Sequence, residues 1–162
     1  MITLLLFVVI VAFNQICIAN LQSSTSDYID PSKLLVVTIL DTTNNEVIRD
    51  GMTLLRSIRL FGGSLSNATI MVTIVYDGIW QDQDVFIQEL IKLRVEIIFT
   101  NQSNESGPKT LNKFKSFDSF DSIRFDYMLW LDADIVVFND PFPYFKRHIQ
   151  PGEIYCVPDL YR

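Results

Sequence analysis

Two aspartates separated by one residue are the side chains in this sequence best suited to chemistry. Asp132 and Asp134 follow an apolar run at 127–131 and flank Ala133, whose small side chain would let a ligand approach the backbone. In extended backbone, alternate side chains project to the same side, so both carboxylates could address one metal ion. Carboxylate oxygens suit Mg²⁺ or Mn²⁺, which commonly keep open positions for phosphate oxygens. The pair therefore predicts a divalent-cation site that faces a phosphorylated ligand.

The segments around this pair predict an α/β fold. Apolar, β-rich runs typical of buried strands alternate with segments whose apolar residues recur at helical spacing. This alternation favours right-handed crossovers and a mostly parallel, doubly wound sheet with helices on both faces. The predicted strands are 34–40, 69–76, 95–99, 127–131 and 154–157, and the predicted helices are the segment from Asn44 or Asn45 to Phe61, 83–93 and 111–120.

Acidic side chains follow several of the predicted strands. Ligands of open α/β sheets bind outside the carboxyl ends of the strands, and Asp41, Asp77, Asp132 and Asp134 all fall at such ends. Four carboxylates at one edge would repel a polyphosphate unless a divalent cation reverses the sign of the charge. Two of the four have a simpler alternative, because Asp41 could cap the following turn or helix and Asp77 precedes a glycine, as turn residues do.

The composition excludes two broad classes of protein. The chain of 162 residues has 13 basic and 19 acidic residues and a formal net charge of −6, so it lacks the basic surface that nucleic-acid binding requires. It is 49% apolar and 20% charged, which is too apolar for a disordered protein. We expect one folded domain with no nucleic-acid partner, and the sequence does not indicate its oligomeric state.

The N-terminal residues have the pattern of a secretory signal peptide. Residues 2–13 carry no charge, and a small-x-small tripeptide ends at Ala19, although no Lys or Arg precedes the apolar run. Two other roles stay open for this run, a membrane anchor and a buried N-terminal segment, but it is shorter than the roughly 20 residues that span a bilayer. The predicted organisation is a leader at 1–19, a polar segment at 20–32 and a folded part at 33–162.

Three Asn-x-Ser/Thr sequons agree with a secretory route. One sequon is weak support because chance supplies it often, but the three and the leader point the same way. Two of them lie in the polar stretch 101–107, whose composition is typical of an exposed loop. Cysteine counting adds little, because Cys156 would be alone after removal of the leader. The predicted glycosylation positions are Asn67, Asn101 and Asn104.

The region of the aspartate pair resembles the Asp-x-Asp region of nucleotide-diphospho-sugar transferases of the GT-A fold, nearest to the glycogenin-like family 8 glycosyltransferases. The likeness covers roughly 34–145 and implies a Rossmann-like GT-A half. The residues that carry it are Leu131-Asp132-Ala133-Asp134, Ile135-Val136-Val137 and Asn139-Asp140-Pro141, with Val37-Thr38-Ile39, Leu54-Leu55-Arg56-Ser57-Ile58 and Asn112-Lys113-Phe114 upstream.

The resemblance implies a metal-dependent glycosyltransferase. Asp132 and Asp134 would hold Mn²⁺, or Mg²⁺, against the diphosphate of a nucleotide sugar, with the metal acting as a Lewis acid on the leaving nucleoside diphosphate. The resemblance favours a UDP-linked donor and retention of configuration at the transferred sugar. The catalytic residue and the glycan, protein or lipid acceptor stay unknown. The residues implied to bind the donor are Ile39 and Asp41 at the base and ribose, Ala133 near the sugar and Lys113 at the diphosphate.

Several alternatives stay open beside this interpretation. Glycogenin-like enzymes have an acceptor-binding half and a His ligand well downstream of the Asp-x-Asp, and little chain follows Asp134. We therefore expect a donor-binding part that is incomplete at its C-terminus. The main alternative is a truncated, non-catalytic secreted protein that retains donor or metal binding. The segment 132–136 also fits the nucleophile loop of haloacid dehalogenase-type phosphatases. Lys113 could be a solvated helix cation, and we expect His148 to be exposed.

Overall fold

From residue 34 to residue 131 the strands and described helices follow the order that the sequence predicts, whereas the strand at 8–12 and the helix at 142–148 were not predicted. The computed structural model describes residues 8–12, 30–76, 83–101, 124–148 and 154–156. Two short 3-10 helices, Pro31–Lys33 and Gly63–Asn67, connect longer elements in these ranges. The strands are β1 (Val8–Ala12), β2 (Leu34–Asp41), β3 (Thr69–Tyr76), β4 (Val95–Asn101), β5 (Tyr127–Leu131) and β6 (Ile154–Cys156), and the helices are α1 (Asn45–Phe61), α2 (Gln83–Lys92) and α3 (Phe142–His148).

The strands form one mixed sheet in the order β4-β3-β2-β5-β1-β6. Strands β2, β3, β4 and β5 form a parallel sheet, in which β2 pairs with β3 and β5, and β3 pairs with β4. In contrast, β1 is antiparallel to both β5 and β6. Parallel neighbours need crossover connections, which helices commonly supply. The predicted α/β class with a mostly parallel sheet is confirmed.

Local sequence signals set the boundaries of most elements. The predicted strands at 69–76 and 127–131 match β3 and β5 residue for residue. The side chain of Asn44 caps α1 by accepting the Glu46 amide at 2.9 Å, as an N-cap asparagine does. The helix ends at Gly62, whose amide donates to the Ile58 carbonyl. The predicted helix at 111–120 lies outside the described residues.

Apolar residues are buried on both faces of the sheet. The buried apolar side chains of all three helices join one large layer, which includes Leu40, Leu55 and Leu90, each at 0% exposure. Alternate strand residues such as Val37 and Trp130 form a second, smaller layer on the other face. In the described ranges, the helices therefore pack on one of the two faces that we expected them to cover.

β1 lies inside the predicted leader. Val8 pairs with Leu131 and Ala12 pairs with Tyr127 along β5, and β6 pairs with the other edge of β1. Pairing on both edges makes β1 a part of the sheet, which is what the third role that we considered for the N-terminal run requires. Cleavage after Ala19 would remove β1 from the sheet, so the two fates exclude each other. Among the described residues, no helix has both the length and the apolar character that a bilayer span requires.

Arg59 joins the end of α1 to two neighbouring segments. Its guanidinium donates to the carbonyl oxygens of Leu93 at 2.8 Å, Arg94 at 2.9 Å and Ala68 at 3.2 Å, and it also donates to the Ser66 carbonyl. Burial, and then the charge of Arg94, lower the pKa of this guanidinium, which nevertheless stays protonated. The side chain thus fixes the turn before β4 against the helix that follows β2.

Candidate cation and nucleotide site

The sheet changes its direction of winding between β2 and β5. From β2 the chain continues to β3 and β4 on one side, and it then returns to β5 on the other side of β2. Ligands of open α/β sheets bind outside the strand ends at such a switch point. Asp41 is the last residue of β2, and Asp132 follows the last residue of β5. The topology therefore brings carboxylates from two strands to one edge of the sheet.

β5 leaves the sheet earlier than β2 at this edge. Their parallel ladder ends at the pair of Val37 and Trp130, while β2 continues beside β3 as far as Asp41. Extending the register by two residues makes Asp132 level with Ile39. Because strand side chains alternate, Ile39 and Asp41 share one face of β2. The early end of β5 leaves a notch beside the last residues of β2.

The aspartate pair lies in a turn. The amide of Ile135 donates to the carbonyl of Asp132 at 3.2 Å, and Ala133 and Asp134 are the two central residues. Our expectation that extended backbone aligns the two carboxylates is therefore wrong at this point. Aspartate at the first position favours such a turn, and β5 has no ladder pair with β2 beyond Trp130. The turn holds both carboxylates at the carboxyl end of β5.

The three residues of the pair differ in their surroundings. Asp132 is partly buried, and its Oδ1 accepts a long hydrogen bond from Trp130 Nε1 at 3.4 Å. Ala133 is also partly buried and packs against the large apolar layer. Asp134 is exposed, and its carboxylate makes no hydrogen bond or ion pair with the part of the chain that the structure describes. The turn is thus anchored through Asp132 and Ala133 and presents Asp134 to solvent.

Asp41 organises the loop that follows β2. Its Oδ1 accepts hydrogen bonds from the Thr43 amide at 2.9 Å and the Thr43 hydroxyl at 2.7 Å, and its carbonyl accepts the Asn44 amide. The turn-forming role that we left open is therefore present. Both side-chain bonds use Oδ1, and Oδ2 has no hydrogen-bond partner among the described residues. Ile39, two residues earlier, is partly buried against the smaller apolar layer.

Other predicted positions are placed only in part or lie outside the described ranges. Asn67 is exposed in the 3-10 helix after α1, as a glycosylated asparagine must be. Asn101 is the last residue of β4, and His148 is the last residue of α3. The positions outside the described residues are Asp77, Asn104 and Lys113.

The donor set at this edge fits a cation that arrives with a phosphate ligand. The described residues contain no group of three or more His, Cys, Asp or Glu side chains placed to hold a metal ion. Mg²⁺-type ions in phosphate-handling sites use one or two carboxylates and take further oxygens from the phosphates and water. The aspartate turn has two carboxylates, which is the number that such a site uses.

Ser57 holds the segment that follows the aspartates. This α1 residue is 4% exposed. Its Oγ donates to the Leu54 carbonyl at 2.7 Å and accepts the amide of Val137 at 2.9 Å. We did not assign it a function from the sequence. One sequence feature could have indicated its role, namely a serine directly before Ile58 on the apolar face of a helix. A hydroxyl buried at such a position needs hydrogen-bond partners.

Asp140 binds backbone amides at the C-terminal end of the segment that follows the aspartates. Its carboxylate accepts the amides of Ser64 at 2.9 Å and Phe142 at 3.0 Å. Partial burial would raise the pKa of Asp140, but the hydrogen bonds from Ser64 and Phe142 outweigh burial and lower it. Gly63 has a φ of +55°, and a Cβ atom there would lie 2.5 Å from Asp140. Both the backbone angle and this close approach favour glycine.

We expect Asp140→Asn to destabilise the protein at neutral pH by about 1 kcal/mol, because Asn keeps an acceptor oxygen but loses the charge. The folded-state pKa lies below the unfolded value of about 3.9, so this stability is present above that value and is lost as pH falls through the folded pKa. Urea denaturation of both proteins between pH 7 and pH 3 should show the difference shrinking in acid. A difference that does not change with pH would contradict the role of the charge.

Oxygen donors and an apolar side chain border the notch beside β2. Its described side chains supply carboxylate oxygens from Asp41, Asp132 and Asp134 and an apolar surface at Ile39. Comparison with models of known protein families and with curated proteins found no match to this chain. Its function is therefore inferred from the position and chemistry of these residues.

Proposed function

We propose that this chain is the donor-binding part of a GT-A-type glycosyltransferase. It would bind a nucleotide-diphosphate sugar, with UDP as the favoured nucleotide, through Mn²⁺ or Mg²⁺. The observation that carries the proposal is the position of the aspartate turn, directly after β5 at the switch point beside β2. This is where open α/β sheets bind their ligands, and the turn offers the oxygen donors that such a cation uses.

The chain's own residues have distinct tasks in this proposal. Asp132 and Asp134 hold the cation, which when bound supplies Lewis-acid stabilisation of the leaving diphosphate. Ile39 offers an apolar contact for the base, and Asp41 offers Oδ2 as an acceptor for a ribose hydroxyl. Ala133, with its single methyl group, leaves room for the sugar. Lys113 is proposed to approach the diphosphate.

A cation would also offset the electrostatic repulsion between the chain and a diphosphate. The chain has a net charge of −6, and the notch itself has three carboxylates, so a diphosphate alone would be repelled there. A divalent cation between the carboxylates and the phosphates reverses the local sign. Binding of the nucleotide should therefore depend on the metal, and a nucleoside monophosphate should bind more weakly than the diphosphate because it offers fewer oxygens to the cation.

Hydrolysis of UDP-sugars tests whether donor binding leads to chemistry. The folded chain is incubated with Mn²⁺ and a panel of UDP-sugars, with water as the acceptor, and released UDP is measured. Metal-dependent release of UDP supports the transferase. Metal-dependent binding without release favours the non-catalytic alternative, and phosphate release from p-nitrophenyl phosphate favours the phosphatase alternative. A folded chain that neither binds nor hydrolyses any donor would contradict the proposal.

We also propose that the chain passes through the secretory pathway. Expression in a secretory host should give an N-terminus at Asn20 and a mass that decreases on treatment with a glycosidase. Asn67, which is exposed, should be one of the glycosylated residues, so Asn67→Gln should remove one glycan. A product that begins at Met1 and bears no glycan would contradict this route and would favour β1 as a permanent strand.

A further inference from the structure

The segment between the aspartate turn and α3 is irregular, and two of its side chains are buried. Residues 135–141 belong to no strand or helix. Ile135 and Val137 are 4% and 5% exposed and pack into the large apolar layer, whereas Phe138 is 61% exposed. Buried backbone outside regular structure must find other hydrogen-bond partners. The position of the segment therefore depends on the few groups that bind its amides.

Ser57 binds one of these amides from inside the core. Its hydroxyl proton is directed at the Leu54 carbonyl, 2.7 Å away, which leaves a lone pair of Oγ to accept the Val137 amide at 2.9 Å. The hydroxyl thus donates one bond and accepts one, and the surrounding core permits no water-exposed alternative because Ser57 is 4% exposed. This contact joins α1 to a point three residues after Asp134.

The turn is consequently held on both sides. On its N-terminal side, Trp130 pairs with Val37 in the parallel ladder. On its C-terminal side, Val137 is bound by Ser57, and Asp140 fastens the chain again before α3. The turn itself, closed by the bond from the Ile135 amide, spans only the residues between these anchors.

We propose that Ser57 is a positioning residue for the cation site, acting through the Val137 amide on the turn that bears Asp132 and Asp134. The proposal rests on the proposed function, in which these two aspartates hold the cation. Without the Ser57 hydroxyl, the Val137 amide has lost its partner in the core, and the segment must shift to reach another one. A shift of this segment would move the turn and, with it, the two carboxylates that the proposed function assigns to the cation.

The main test compares the wild-type chain with Ser57→Ala in their affinity for Mn²⁺ in the presence of UDP. Electron paramagnetic resonance of free Mn²⁺ measures this affinity. We expect an affinity about 10- to 100-fold lower in Ser57→Ala, the range typical when a group that orients a metal ligand is removed. Ser57→Thr, which keeps the hydroxyl, should recover most of the affinity. Hydrogen exchange should show faster exchange of the amides of Ile135 and Val137 in Ser57→Ala.

Two control variants separate positioning from general loss of stability. Thr53→Ala removes another α1 hydroxyl bonded to its own helix, at the Arg49 carbonyl, and should leave Mn²⁺ affinity unchanged. Leu90→Ala should lower the thermal stability through a fully buried α2 residue and should also leave affinity unchanged below its melting temperature.

The outcomes distinguish this proposal from the proposed function. Wild-type protein that binds no Mn²⁺ with UDP overturns the proposed function and the positioning role with it. If the wild-type protein binds Mn²⁺ and the affinity of Ser57→Ala is within twofold of the wild-type affinity, only the positioning role is overturned. An equal loss of affinity in Leu90→Ala also overturns it, because the effect would then follow stability.

Discussion

Replacing Asp132 or Asp134 with Asn should abolish Mn²⁺-dependent binding of UDP while the chain stays folded. Asn has nearly the shape of Asp but lacks the charge that a hard divalent cation requires of its ligands. In the proposed site, these two carboxylates supply all of the charge that the aspartate turn offers to the cation. Asp134 is exposed, so its substitution should affect stability least. Calorimetry with UDP and Mn²⁺ measures the loss, and circular dichroism checks the fold.

Asp126→Asn is the matched control for these variants. Asp126 is exposed and directly precedes β5, so it lies at the N-terminal end of this strand, whereas the aspartate turn follows the C-terminal end. Its substitution removes the same formal charge from the chain without touching the notch. We expect UDP to bind this variant as it binds the wild-type chain. Undiminished metal-dependent binding in both Asp132→Asn and Asp134→Asn would show that these carboxylates do not hold the cation.

Arg59→Met should cause the largest loss of stability among the charged residues at the end of α1. The substitution keeps an unbranched apolar side chain but removes the donors that bind four carbonyl oxygens. Hydrogen bonds from a charged group contribute roughly 1.5 to 3 kcal/mol each, but bonds from one side chain are not additive. We expect the free energy of unfolding to fall by about 3 kcal/mol in urea denaturation.

Arg56→Met shows what a surface arginine of the same helix contributes. Arg56 forms an ion pair with Glu89 at 3.3 Å, and its side chain is 54% exposed. Exposed pairs of this kind contribute up to about 1 kcal/mol. The free energy of unfolding should therefore fall much less in Arg56→Met than in Arg59→Met. Similar losses in the two variants would mean that the carbonyl contacts of Arg59 add little to stability.

The elements that the sequence predicted well are those with local signals. β3 and β5 have bounded apolar runs, and α1 has an asparagine cap and a glycine end, so their limits follow from neighbouring residues. The N-terminal run was harder to assign. A short apolar run without charges is compatible with a leader, an anchor or a buried strand, and only pairing partners distant in the chain distinguish these roles.

The sequence indicated which residues lie at strand ends but not how the strands are ordered. The rule for strand ends led to Asp41 and Asp132, but their placement on neighbouring strands at a switch point depends on the strand order. The turn at 132–135 depends on where β5 stops pairing with β2, which no local pattern indicates. The contact from Ser57 to Val137 joins residues 80 positions apart, so composition and periodicity could not reveal it.

Calorimetric titration of the folded chain with UDP, once with Mn²⁺ and once with a chelator, tests the central claim most directly. The proposed cation site predicts saturable binding of UDP with Mn²⁺ and none with the chelator, because the acidic notch repels a diphosphate that has no cation. Equal binding under both conditions, or no binding under either, would contradict a donor site built on Asp132 and Asp134.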